Sequence, residues 1–102
     1  MVAMARQYDV YQTANDTYVL VLQSNTFESL ATRVVARLVP ENWPEPALKH
    51  LSPKLSLGDV TFRLQSTEIA TLTKKELGTY IGSAAYQSDE IIRACDLLLN
   101  GY

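Results

Sequence analysis

The sequence predicts a small, mainly β fold that carries one α-helix at its carboxyl end. Short segments of alternating or β-branched residues, separated by turn residues, fill the first two thirds of the chain. The last stretch, DEIIRACDLLLNGY (89–102), instead repeats apolar residues at helical spacing. A length of 102 residues suits one domain with one modest core. We therefore predict a single domain, 1–102, in which a twisted barrel or sheet packs against the helix.

The first two predicted strands form a hairpin. QYDVYQT (7–13) is rich in β-forming residues, and TYVLVLQS (17–24) contains a continuous apolar run. Such a run is typical of a strand that is covered on both faces. Between the two strands, Asn15 and Asp16 accept left-handed backbone and hydrogen-bond their own main chain, which favours a turn.

A polar connection, NTFESLAT (25–32), leads to a third predicted strand, RVVARLV (33–39). Its two arginines interrupt a β-branched run, which indicates a partly solvated face. The next segment, PENWPEPALKHL (40–51), holds three of the four prolines, so regular structure is not expected before residue 47. Trp43 in this segment is interpreted as a lid on the core, with contact to a partner as the alternative.

The segment KLSLGDVTFRLQS (54–66) is the clearest hairpin signal, because apolar residues alternate with polar ones on both sides of Gly58-Asp59. TEIATL (67–72) predicts a further short strand. Thr73 and Glu76 then have capping-box spacing, which predicts one helical turn that Gly78 ends.

The carboxyl-terminal helix carries its own start and stop signals. Ser88 is the predicted N-cap, and Asp89 and Glu90 place negative charge at the positive end of the helix dipole. Gly101 stands where a left-handed C′ glycine is expected. The three leucines at 97–99 spread over roughly 200° of the helix, since successive residues are about 100° apart. One face cannot bury all three, so we expect some of them to contact a second copy or a partner.

Composition limits the classes of partner. The net charge is −2, the pI is about 5.2, and only Lys74 and Lys75 are adjacent basic residues. This balance argues against a broad nucleic-acid or acidic-lipid footprint, and we expect no direct sequence-specific nucleic-acid binding. The single cysteine, Cys95, is interpreted as a small buried residue. The chain shows no secretory signal and no apolar run of 18 residues, so a cytoplasmic location is expected.

Residues that could support catalysis are few. The one histidine, His50, lies in the proline-rich connection with no evident partner, and no hydrolase, metalloprotease or nucleotide-binding motif occurs. Lys49 and His50 with Arg33 or Arg37 could in principle hold a phosphate for RNA cleavage, although their spacing does not support it. The sequence therefore predicts a protein that is not an enzyme and that has no catalytic residues, no cofactor and no metal.

Several motifs, taken in order, resemble the CcdB family of plasmid-maintenance toxins, which poison DNA gyrase. The similarity extends from about residue 7 to the end of the chain, with Asn100 in place of a frequent family tryptophan. The matching segments are QYDVY (7–11), VLQSN (21–25), RVVARL (33–38), LSPKLSLGDVTFRLQSTEIATL (51–72) and NGY (100–102).

This resemblance implies an SH3-like barrel of the CcdB type with a carboxyl-terminal α-helix, assembled as a cytoplasmic homodimer. It implies the toxin of a type II toxin–antitoxin system, which binds DNA gyrase A, traps the cleaved gyrase–DNA complex, and is neutralised by a CcdA-like cognate antitoxin. The positions that correspond to gyrase contacts are Thr26, Phe27, Asp96, Leu99, Asn100, Gly101 and Tyr102. Two alternatives stay open: an endoribonuclease toxin of the related barrel fold, and an inactive homologue that only binds antitoxin.

Overall fold

The computed structural model describes residues 5–44, 48 and 50–101, and in that part of the chain six strands form one antiparallel sheet. Two α-helices and two single-turn 3₁₀ segments, Asn25–Phe27 and Ala85–Gln87, complete the fold. The principal elements are β1 (Asp9–Gln12), β2 (Tyr18–Val21), β3 (Thr32–Pro40), β4 (Lys54–Leu57), β5 (Val60–Thr73), α1 (Lys74–Leu77), β6 (Thr79–Ser83) and α2 (Ser88–Asn100). The predicted mainly β fold with a terminal helix is confirmed.

The sheet runs in the order β4-β5-β3-β2-β1-β6. Both predicted hairpins are present, and Gly58, with φ of 59°, makes the tight turn between β4 and β5. Residues 67–72, predicted as a separate strand, instead continue β5. Strand β6 was not predicted from the sequence, because Gly82 and Ser83 weaken any local pattern there.

A bulge divides β5 into two halves that pair with different parts of β3. The register passes from Ala36 opposite Ile69 to Arg37 opposite Gln65, so residues 66–68 have no partner residue on β3. Extra residues of this kind bend a strand and redirect its side chains, and they are frequent beside active sites. The bulge places Glu68 next to Arg37.

Each face of the sheet carries its own apolar cluster. One cluster lies under α2 and includes Leu20, Leu38, Leu64 and Ile91. The other contains Tyr11, Val19, Val21, Val35 and, from α1, Leu77. Strand β2 contributes to both clusters, which explains its continuous apolar sequence.

The ends of α2 match the sequence only in part. Gly101 adopts the left-handed conformation, with φ of 77°, and its amide donates to the carbonyl of Leu97, as predicted for a C′ glycine. The prediction that Ser88 caps the other end is wrong. The chain enters α2 directly from the 3₁₀ turn, so Ser88 is already helical and Gln87 occupies the N-cap position without a capping side-chain hydrogen bond.

The segment before α2 covers the outer edge of β4. The amide of Ser56 donates to Gln87 Oε1 at 2.8 Å, and Gln87 Nε2 donates to the carbonyl of Lys54 at 3.0 Å. The hydroxyl of Tyr86 donates to the carbonyl of Ser56. One side-chain amide therefore pairs with β4 much as a neighbouring strand would, and it joins the carboxyl-terminal segment to the far side of the sheet.

The predicted capping box at α1 is confirmed. The amide of Glu76 donates to Thr73 Oγ1 at 3.1 Å, and the amide of Thr73 donates to Glu76 Oε1 at 2.8 Å. Gly78 ends the helix with φ of 85° and ψ of −128°, and there the chain passes close to the carbonyl oxygen of Gln12. In the described part of the chain no helix is both long and apolar enough to cross a membrane.

Candidate functional site

A groove of about 500 Å³ opens on the face of the sheet near the bulge in β5, and we call it the sheet groove. Aliphatic side chains of β2, β3 and β5 contribute to its lining, and polar side chains surround them. The aliphatic residues include Val19, Val35, Ile69 and Leu72, and the polar residues are Thr13, Asn15, Thr17, Arg37, Glu68 and Glu76. A lining of this composition can hold a small ligand with an apolar body and a charged group.

Arg37 and Glu68 form an ion pair in this groove. The distance from Arg37 Nη1 to Glu68 Oε1 is 3.3 Å, and the two side chains are 35% and 40% exposed. The ring of Trp43 lies over the guanidinium, with 5.1 Å from Arg37 Cζ to the ring centroid. A guanidinium binds phosphate through several N–H donors, and an adjacent carboxylate can accept a proton, so this cluster has the groups that phosphodiester chemistry requires.

The second carboxylate of the sheet groove, Glu76, has a structural role. The backbone and side-chain hydrogen bonds of Thr73 lower the pKa of Glu76, so this group stays charged while it caps α1. Its oxygen is already an acceptor for the amide of Thr73. Glu68 is therefore the better candidate for proton transfer in this groove.

The phosphate site considered from the sequence, Lys49 and His50 with Arg33 or Arg37, is not assembled as a whole. Arg33 is only 1% exposed, and its guanidinium donates to the carbonyls of Ala5, Glu28, Leu30 and Thr32 at 2.7–3.0 Å. Arg33 is therefore buried, where its hydrogen bonds stabilise the connection before β3, and it does not face solvent. Lys49 lies outside the described residues, and His50 is exposed.

Trp43 is not a lid on the core. It is half-buried, it belongs to neither apolar cluster, and it packs on Arg37. Its sequence position favoured a lid on the core, with contact to a partner as the alternative, and did not indicate that it contacts Arg37.

The residues predicted to contact gyrase lie in two exposed segments. Thr26 and Phe27 belong to the first 3₁₀ turn, where Phe27 is 56% exposed. Asp96, Leu99, Asn100 and Gly101 are exposed at the end of α2, and Tyr102 lies outside the described residues. Leu99 is 70% exposed while Leu97 and Leu98 are half-buried, which confirms that α2 does not bury all three leucines.

A second, smaller groove of about 280 Å³ lies between α2 and the sheet, and we call it the helix groove. Its aliphatic lining includes Leu22, Val34, Ile69, Ile92 and Leu99. Gln23 also lines this groove, and its Nε2 donates to the carbonyl of Phe27 at 3.1 Å. Gln23 thus connects the helix groove to the turn that presents Phe27.

Cys95 lines the helix groove but is not a suitable nucleophile. Burial raises the pKa of the Cys95 thiol, and the charge of Asp96 raises it further, so the reactive thiolate is disfavoured. Across residues 5–44, 48 and 50–101, no group of three or more histidine, cysteine, aspartate or glutamate side chains is arranged to hold a metal ion.

Comparison with known proteins gives a family and a fold. The model of the family described as "CcdB protein" matches residues 7–101. No curated protein sequence matches the chain. A solved endoribonuclease from Mycobacterial species has a TM-score of 0.81 and 22% identity, and the match covers 97% of this chain and 94% of that one. A second, an endoribonuclease in complex with its cognate antitoxin from Mycobacterial species, has a TM-score of 0.79 and 22% identity over 92% and 93% of the two chains.

These structures overturn the prediction that the protein is not an enzyme, because both are endoribonucleases by name and share the fold over nearly the whole chain. The prediction rested on the absence of a local catalytic motif. Arg37 and Glu68 are 31 positions apart and meet only through the bulge in β5, so no spacing in the sequence indicates them. The one signal for this site in the sequence was the presence of Arg37 in a predicted strand that is otherwise mostly apolar, RVVARLV (33–39).

Proposed function

Because the chain belongs to the CcdB family, we propose that it is the toxin of a toxin–antitoxin pair and that it acts as an endoribonuclease. The observation that carries this proposal is the ion pair of Arg37 and Glu68, which the bulge in β5 holds in the sheet groove. The likeness to two solved endoribonucleases supports it.

In the proposed reaction, the guanidinium of Arg37 binds the scissile phosphodiester and stabilises the negative charge that develops on it. Glu68 accepts the proton of the neighbouring ribose 2′-hydroxyl. The 2′-oxygen forms a bond to phosphorus while the bond from phosphorus to the 5′-oxygen breaks. A water molecule supplies the proton that the leaving 5′-oxygen needs, and the resulting hydroxide takes the proton from Glu68. The products are a 2′,3′-cyclic phosphate and a 5′-hydroxyl.

The proposed substrate is single-stranded RNA, which the protein would contact over a short length only. The aliphatic lining of the sheet groove suits the face of an unstacked base, and Arg37 supplies the positive charge of that groove. The net charge of −2 argues against a broad basic surface of the kind that follows a duplex backbone. Binding to a few phosphates only should make the affinity weakly dependent on salt.

The test of this proposal is cleavage of a labelled single-stranded RNA by the purified protein. We expect fragments that end in a 2′,3′-cyclic phosphate, with no cleavage of the same RNA when its 2′-hydroxyls are methylated. Intact RNA after incubation with micromolar protein, at several base sequences, would contradict the proposed activity.

We also propose a cognate antitoxin as the natural inhibitor and a homodimer as the assembled form. One of the similar structures is named as a complex with its cognate antitoxin, and the helix groove presents exposed aliphatic side chains that a partner could cover. The molar mass of the purified protein in solution tests the dimer, and a monomer at all accessible concentrations would exclude it.

Gyrase poisoning is a second candidate function, favoured by the exposure of the end of α2. Leu99 is 70% exposed, although exposure of a large aliphatic side chain to water is energetically unfavourable. Asn100 and Gly101 beside it are exposed as well. A rigid helix end that presents an aliphatic side chain suits insertion into a cleft of gyrase A. In this proposal Thr26, Phe27, Asp96 and Tyr102 contribute to the same contact.

If gyrase is the target, replacing Leu99 with alanine should weaken inhibition of supercoiling by roughly 5- to 30-fold, because a buried interface side chain commonly contributes about 1–2 kcal/mol. Deleting residues 100–102 should remove inhibition altogether and leave RNA cleavage unchanged. Val60→Ala is the matched control, since Val60 is 53% exposed and lies on β5 outside the helix groove. Unchanged supercoiling with the unmodified protein would eliminate this candidate.

A further inference from the structure

The guanidinium of Arg37 is held from two directions. Glu68 accepts a hydrogen bond from Nη1, and the ring of Trp43 covers the guanidinium from 5.1 Å away. Arginine has five N–H donors, and within the described chain Glu68 is the one hydrogen-bond acceptor of this guanidinium. Its four other donors therefore have no protein acceptor in the described part of the chain, and Arg37 lines the sheet groove.

Trp43 reaches Arg37 because the chain turns back at the end of β3. The amide of Trp43 donates to the carbonyl of Pro40 at 3.0 Å, which closes a turn and returns the chain toward residue 37. The indole lies outside both apolar clusters. The single tryptophan of the protein thus packs on a charged side chain in the candidate site.

We infer that Trp43 is a positioning residue, which holds Arg37 with its open donors toward the phosphodiester of the RNA. This inference deepens the proposed ribonuclease function and rests on it. A free arginine side chain samples many rotamers, and this conformational entropy is lost when the transition state requires one of them. Stacking on an aromatic ring and pairing with Glu68 select the conformation in advance, so the guanidinium meets the phosphate with little further ordering.

A double-mutant cycle separates this role from a merely structural one. We expect Trp43→Ala to lower kcat by roughly tenfold with a smaller change in KM. The free energy of a cation–π contact at a partly exposed site corresponds to a rate change of about this size. Trp43→Phe, which keeps an aromatic face, should retain most of the activity. With Arg37 already replaced by alanine, Trp43→Ala should cause no further loss of kcat.

Tyr80→Ala is the control for loss of an exposed aromatic side chain. Tyr80 is 52% exposed, packs against the ring of Tyr11 and does not line the sheet groove. This variant should leave kcat unchanged. Equal losses of kcat for Trp43→Ala with and without Arg37 would overturn the inference, and so would an equal loss in the Tyr80 control.

Fluorescence tests the same inference without requiring catalysis. Trp43 is the only tryptophan, so the indole emission of the protein comes entirely from the ring that packs on Arg37. Titration with a 2′-O-methyl RNA, which cannot be cleaved, should shift this emission in a saturable way, and Arg37→Ala should abolish the shift. A shift in emission without any cleavage of ordinary RNA would support the positioning role of Trp43 and contradict the proposed ribonuclease function. Cleavage without a shift in emission would support the ribonuclease function and contradict the positioning role of Trp43.

Discussion

Replacing Glu68 with glutamine is expected to lower kcat for RNA cleavage by about 10²- to 10⁴-fold, the usual contribution of a general base. Glutamine preserves the size of the side chain and can still accept a hydrogen bond from Arg37, but it cannot take a proton from a 2′-hydroxyl. KM should change little, because the guanidinium that binds the phosphate remains. The measurement is the rate of cleavage of a labelled single-stranded RNA at saturating substrate.

The control for this variant is Glu28→Gln, which removes a carboxylate from a comparable ion pair. Glu28 lies 3.6 Å from Arg6, and its side chain is 47% exposed, against 40% for Glu68. Exposed pairs of this kind contribute little to stability, so both variants should unfold at nearly the same temperature as the unmodified protein. If the two variants cleave RNA equally well, Glu68 is not the base, and the proposed chemistry of the sheet groove is wrong.

Replacing Gly78 with alanine should lower the free energy of unfolding by more than about 3 kcal/mol. A Cβ at this position would lie 2.3 Å from the carbonyl oxygen of Gln12, and the contact is with backbone that cannot rotate away. The φ of 85° and ψ of −128° add strain, since residues other than glycine avoid this region. Because Gln12 lies opposite Thr79, relief of the clash must separate β1 from β6.

Thermal unfolding measures this effect, and the melting temperature should fall by at least about 12 °C for a chain of this length. Gly58→Ala is the matched control. Gly58 also has a positive φ, of 59°, but a Cβ there would meet nothing within 4 Å. Gly58→Ala should therefore lower the free energy of unfolding only through its unfavourable backbone conformation, by about 1 kcal/mol. Equal destabilisation of the two variants would mean that the close approach to Gln12 has no energetic weight.

The features that could be predicted from the sequence are those fixed by neighbouring residues. The alternation on both sides of Gly58 gave the β4–β5 hairpin, the spacing of Thr73 and Glu76 gave the capping box, and Gly101 gave the end of α2. In each case the hydrogen bonds or the side-chain pattern join residues only a few positions apart. Local chemistry determines such features, so one sequence is enough to infer them.

The candidate site could not be predicted in the same way, because long-range pairing creates it. Arg33 and Arg37 lie in one strand and look equivalent in the sequence, yet one is buried among carbonyls and the other faces the sheet groove. The bulge at residues 66–68 decides which side chain Arg37 meets, and nothing in that segment distinguishes a bulge from the start of a new strand. Strand β6 was missed for a related reason, since it is stabilised by pairing with β1 more than by its own residues.

The amide of Gln87 has a consequence for the behaviour of the protein at high concentration. Outer strands of open sheets attract other chains, since their main-chain groups can template fibrillar or polymeric growth. On β4 the main-chain groups of Lys54 and Ser56 are already bonded to Gln87 and Tyr86. Strand β4 therefore offers fewer open main-chain groups to a second chain than an uncovered outer strand would, and polymeric growth from this edge is disfavoured.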